Sequence, residues 1–268
     1  MRTVVAVTLL LMAGVVQAAQ LQHFSAWAQG RITIGSDGQV VDVRFDNAEW
    51  MDDRVREGYE QKIRAWRFEP IIEGGQPIAV TANMHLRLAA ERENGASNAR
   101  FMIEEVTFPD PAAQTLEQAQ LAQADFSVRP RFPGRAARNG VGAMAFVVAR
   151  MGQAGIPEAV GIERIVLRGS HPGAHQAYYA RLFSDATVKA AQSWRFGHAK
   201  PGELVRVPVK FIPPQATPRL GWEQVFPVTQ ELPEWLVLAR AASTPVADLA
   251  ENGSRATAHL KMLTPVDG

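Results

Sequence analysis

The sequence predicts an α+β protein built from two small copies of one unit, each a three-stranded antiparallel sheet packed by one helix in the order strand, strand, helix, strand. Three observations predict it. Trp66-Arg67-Phe68 and Trp194-Arg195-Phe196 repeat one triplet; each closes a helical run; each is followed by a Gly-containing turn and an alternating strand. A Trp and a Phe one residue apart bury on one face while the Arg between them points to water. Self-similarity of this kind marks an internal duplication. Trp66, Phe68, Trp194 and Phe196 are therefore expected in the cores, with Phe132 and Pro133 beside the second.

Arg2, the apolar residues 4–16 and the small residues of Val16-Gln17-Ala18 read as a secretory signal peptide over residues 1–18, which implies a periplasmic protein. The apolar run is short of the ~20 residues of a membrane span. The chain has no Cys, which removes disulfides, thiolate nucleophiles and zinc-thiolate sites, and its net charge of +1 suggests no polyanionic partner.

In the first unit, residues 30–88, Arg31 to Ile34 form a strand, Asp37-Gly38 turns it, and Val41, Val43 and Phe45 alternate with Asp42, Arg44 and Asp46. Asp52 or Asp53 caps a helix whose Val55, Tyr59, Ile63 and Trp66 make one apolar stripe. The third strand alternates Ile78, Val80, Ala82, Met84, Leu86 and Leu88 with Ala79, Thr81, Asn83, His85 and Arg87, a face polar enough to stay wet. Residues 89–128 read as a linker, with a possible strand at residues 101–108 and a possible helix at residues 112–124.

The second unit, residues 129–212, has Met144, Phe146 and Val148 alternating inward and Ala143, Ala145, Val147 and Ala149 outward. A partner strand over residues 159–167 follows, its alternation slipping at a bulge. Next come a helix capped at Ser184-Asp185 and a last strand with Val205, Val207, Val209 and Phe211 on one face. Residues 213–268 read as an appendage on this unit and a tail. A three-stranded sheet with one helix leaves its far face open, so the duplication predicts that the two units cover one another.

Pro130-Arg131-Phe132-Pro133-Gly134-Arg135-Ala136-Ala137-Arg138-Asn139-Gly140-Val141-Gly142, the helix ending in Trp194-Arg195-Phe196, Gly202 and the Val-rich strand ending at Phe211 together resemble the TonB C-terminal domain over about residues 129–212. Residues 30–88 resemble the same domain without the aromatic-Pro segment. The resemblance implies strand addition, in which an extended segment of an envelope protein, such as an outer-membrane receptor, pairs with the edge strand Leu204, Val205, Arg206, Val207, Val209, Lys210 and Phe211. Pro208, lacking an N–H, suits an edge. Self-association is a further expectation. The alternative of an energy transducer needs a retained membrane anchor and a long Pro-rich spacer, and no Pro/Lys/Glu-rich tract is present.

Other motifs read as structural. Arg129, Arg131, Arg135 and Arg138 form a basic run, expected to be a solvated face paired in part with Glu and Asp; its other use is to grip a lipid phosphate or cell-wall carboxylate, nucleic acid being disfavoured by the signal peptide. His171 and His175 have the spacing of a helical metal pair, but Pro172-Gly173 breaks the helix, so no metal is expected. His85 is expected to face solvent. Asp52-Asp53 and Glu104-Glu105 are neighbours, the latter on a strand that sends them to opposite faces. With no nucleophile beside a base and no third Gly after Gly140-Val141-Gly142, neither an enzyme, a cofactor nor a small-molecule substrate is expected.

Overall fold

The alternating segments join into one sheet. The computed structural model describes residues 21–109, 128–197, 199–216, 220–242, 244, 246–248 and 260–266; the expected signal peptide and the possible helix at residues 112–124 lie outside them. The first half contains β1 (Leu21–Ile34), β2 (Val40–Asp46), α1 (Asp53–Arg64), the hairpin β3 (Ile71–Glu73) and β4 (Gln76–Ile78), β5 (Val80–Glu93) and β6 (Arg100–Thr107). The second contains α2 (Gly134–Arg138), β7 (Val141–Met151), β8 (Pro157–Gly169), α3 (Gln176–Ala191) and β9 (Leu204–Phe211). Then follow β10 (Glu223–Val228), α4 (Glu234–Ala241) and β11 (Val246–Asp248). The fold is α+β and mostly antiparallel, its main sheet ordered β11-β9-β7-β8-β10-β1-β5-β6, with β2 also on β1.

Within this sheet the order strand, strand, helix, strand occurs twice. The first strand is central each time, giving β2-β1-β5 and β8-β7-β9. The hairpin turns match in detail. Gly38 and Gly155 take positive φ values of 79° and 68°, and their carbonyls accept the amides of Phe68 and Phe196 at 2.9 and 2.8 Å. A Cβ on either glycine would meet a carbonyl oxygen, that of Phe68 at 2.1 Å or of Phe196 at 2.4 Å, so both the conformation and the approach require glycine. Trp66, Phe68, Trp194 and Phe196 are buried while Arg67 and Arg195 are exposed.

Asp52 caps α1 by accepting the Arg54 amide, and Tyr59 and Ile63 face the core. In the second half α3 starts at Gln176, so Ser184-Asp185 lies mid-helix rather than at a cap; Tyr179, Phe183 and Ala190 form the buried stripe that extends it. The two faces of β7 are the reverse of expectation. Ala143, Ala145, Val147 and Ala149 pack under α3, and Met144, Phe146 and Val148 point the other way. Alternation alone leaves the choice of face open, and small residues let a helix carrying Tyr179 and Phe183 approach closely.

Residues 213–268 are more than an appendage. β10 pairs with β8 at Val225 to Val228 and with β1 at His23 to Ser25, joining the halves into one sheet. α4 covers the side of β7 and β9 that α3 leaves open, burying Leu236 against Val148 and Leu204. The last described residues return to the first half, where Met262 bridges Phe68 and the Leu263 amide donates to the Arg67 carbonyl at 2.7 Å. The expected linker also shortens: β5 runs to Glu93 and pairs with β6.

Candidate functional site

β9 is the strand expected to be a free edge. Val205, Val207 and Phe211 are buried beneath α3 with Val209 partly so, while Arg206, Pro208 and Lys210 occupy its other face. One side of β9 pairs with β7 along its length. The other side carries β11, in parallel, only from Leu204 to Arg206. From Val207 to Phe211 no strand among the described residues pairs with that side. Pro208 falls in this stretch.

Sequence reasoning missed a cluster between the two half-sheets. Arg87, expected on a wet face, is 4 % exposed. Its Nη1 donates to Glu104 Oε2 at 2.6 Å and its Nε to Glu105 Oε2 at 3.0 Å. Both neighbouring carboxylates reach one guanidinium because β6 bulges: Arg87 faces Glu105 and Leu88 faces Ile103, leaving Glu104 as the extra residue. Arg87 lies 4.5 Å from the Phe146 ring of the other half, and Arg164, paired to Glu104 at 3.2 Å, lies at the same distance from that ring. Burial holds the Arg87 guanidinium below its ordinary value, as does nearby Arg164, against the pull of the two carboxylates.

Beside these charges is a cleft of about 230 Å³, with Phe24, Trp27, Met102 and Met144 in its walls. Its cations are engaged: Arg168 makes a forked pair with Glu223, and Lys210 sits 5.7 Å from the Trp27 ring. The cluster therefore stitches the half-sheets together face to face.

A second bulge, signalled by the slip over residues 159–167, leaves Glu163 as its extra residue, since Phe146 faces Arg164 and Val147 faces Ile162. Glu163 accepts from Arg206 Nε and Nη2 at 2.6 and 2.9 Å and from Arg240 of α4. Burial alone would raise its carboxyl, but the hydrogen bonds and charges of Arg206 and Arg240 outweigh it and hold the group below the usual carboxylate range. Arg240 thereby fastens α4, and β11 beyond it, to the second half.

The remaining predicted residues are dispersed. Arg129, Arg131, Arg135 and Arg138 are exposed, and none forms the expected pair with Glu or Asp among the described residues; Arg135 instead donates to Tyr178 Oη at 3.2 Å. Phe132 packs edge-on against Phe183 and Phe211, and Pro133 precedes α2. His171 packs against Phe226 and its Nδ1 accepts the Gly173 amide, whereas His175 precedes α3. His85 is half-buried on β5 rather than open to solvent. Asp53 pairs with Arg56 at 2.8 Å. Among the described residues no helix is long and apolar enough to cross a membrane. Compared with protein families, curated proteins and solved structures, the chain matches none.

Proposed function

We propose that this chain is a periplasmic interaction module, a tandem of TonB C-terminal-like units, whose second unit binds an extended segment of an envelope protein by pairing along β9. The observation that carries the reading is the half-covered edge. Over Leu204 to Arg206 the chain's own β11 adds as a strand, so the edge accepts one; from Val207 to Phe211 the same side has no strand beside it among the described residues. A strand edge with no strand beside it is a template for strand addition. Pro208 interrupts the donors and narrows the set of segments that fit. The duplicated strand order and the matched Gly38-Phe68 and Gly155-Phe196 contacts support the tandem.

The test is site-specific photo-crosslinking in the bacterial envelope, with the probe at Ile212, exposed beside the open end of β9, or at Lys62 on α1 as a control. A discrete adduct to one envelope protein from Ile212 alone is expected. Equal labelling from both positions, or none from Ile212, would contradict edge pairing.

A further inference from the structure

The near-neutral total charge conceals an uneven distribution. Residues 128–140 run along α3 in the opposite direction: Trp194 Nε1 donates to the Val128 carbonyl at 2.9 Å, Phe132 packs on Phe183 at 5.6 Å, and Asn139 donates to Tyr179 Oη at 2.6 Å. Arg129, Arg131, Arg135 and Arg138 thus border the exposed stripe of α3 that holds Arg181 and Lys189, with exposed Arg195 just beyond. Against these seven cations this layer has one carboxylate, Asp185, whose contact with Arg181 is 4.0 Å with both side chains over 70 % exposed.

The corresponding layer of the first half is different. α1 has four cations and three carboxylates, paired as Arg56 with Asp53 and Glu60 and Arg64 with Glu60. Counted with Arg67, the counterpart of Arg195, that layer has five cations to three carboxylates against seven to one in the second half; the excess comes from Arg129, Arg131, Arg135 and Arg138, so the strand, strand, helix, strand order forms without it.

We propose that this layer, α3 with residues 128–140, is a docking face for an anionic phospholipid surface. The cations are spread along and beside a helix of 16 residues, about 24 Å, which suits an array of phosphates rather than one compact anion. Arginine forks match phosphate oxygens in pairs. Tyr178 and Val128, 41 % and 46 % exposed, stand at opposite ends of the stripe and supply an amphipathic ring and an apolar contact at headgroup depth. The inference does not rest on strand pairing at β9.

The test is flotation of the full chain with vesicles of phosphatidylcholine, alone or with about a third phosphatidylglycerol, as salt is raised from ~0.05 to ~0.5 M. Flotation with the anionic vesicles only, lost at high salt, is expected. The triple variant Arg131→Glu, Arg135→Glu, Arg138→Glu should lower the partition coefficient about 100-fold, each cation near such a surface contributing a factor of about five. The matched variant Arg54→Glu, Lys62→Glu, Arg64→Glu on the α1 layer should stay within about twofold. No flotation at low salt, equal flotation on neutral vesicles, or equal loss in both variants overturns the proposal. Binding to a soluble polyanionic glycan without flotation overturns it too. If the first variant melts early, the lipid and salt dependence of the unaltered chain decides.

Discussion

Replacing Trp194 by alanine is expected to destabilise the protein by roughly 3–5 kcal/mol, measured by urea unfolding at constant m-value. The ring is 2 % exposed, packs against Phe196 with centroids 6.3 Å apart, and holds residues 128–140 through the bond from Nε1 to the Val128 carbonyl. Trp194→Phe separates the two contributions. It keeps most of the buried surface and should cost far less, with the share due to the lost hydrogen bond near ~1 kcal/mol. Similar losses for both variants would mean that the hydrogen bond, not the packing, dominates.

The second large effect is expected at Arg87, where methionine should cost about 1–3 kcal/mol because Glu105 loses the charge that compensates it, while Glu104 keeps Arg164. Glu105→Gln added to Arg87→Met should recover part of the loss, a coupling that a double-mutant cycle measures. Because Arg87 rests on Phe146, the single variant should also loosen the halves, seen as faster hydrogen exchange in β5 and β7. A loss below about 1 kcal/mol would contradict the role given to this cluster.

Much of each half was legible because its signals are local. The stripe of α1, the turn at Asp37-Gly38, the two Trp-Arg-Phe triplets and the face of β9 follow from spacing alone. What escaped depends on distant partners. β10 holds Pro227, and only Val225 of its six residues is buried, so nothing in Glu223 to Val228 announces a strand between two sheets. The early part of β1 alternates Ala26, Ala28 and Gly30 inward, residues too small to register as a hydrophobic pattern. Bulges account for two of the wrong faces. Opposite Thr33 and Ile34 the first hairpin skips Val41, leaving it exposed and Val40 buried, and the bulge at Glu104 turns both carboxylates to Arg87. Arg87 itself looked like an outward residue, as it is; the outward face is where the other half lies.

An edge strand and the more basic helical layer are both on the second half, a difference between halves that share their turn glycines and core aromatics. β11 occupies part of the β9 edge, with α4 before it held by the Glu163 to Arg240 contact, so an incoming strand meets an edge already covered over Leu204 to Arg206.

The central claim is of a free module in the envelope, and the most direct measurement is the intact mass and cell fraction of the chain expressed in a bacterium with two membranes. A protein beginning at Ala19, soluble in the periplasm or released from membranes by salt alone, is the predicted result. Full-length protein that leaves the membrane only in detergent would contradict it and make residues 4–16 the anchor of an energy transducer.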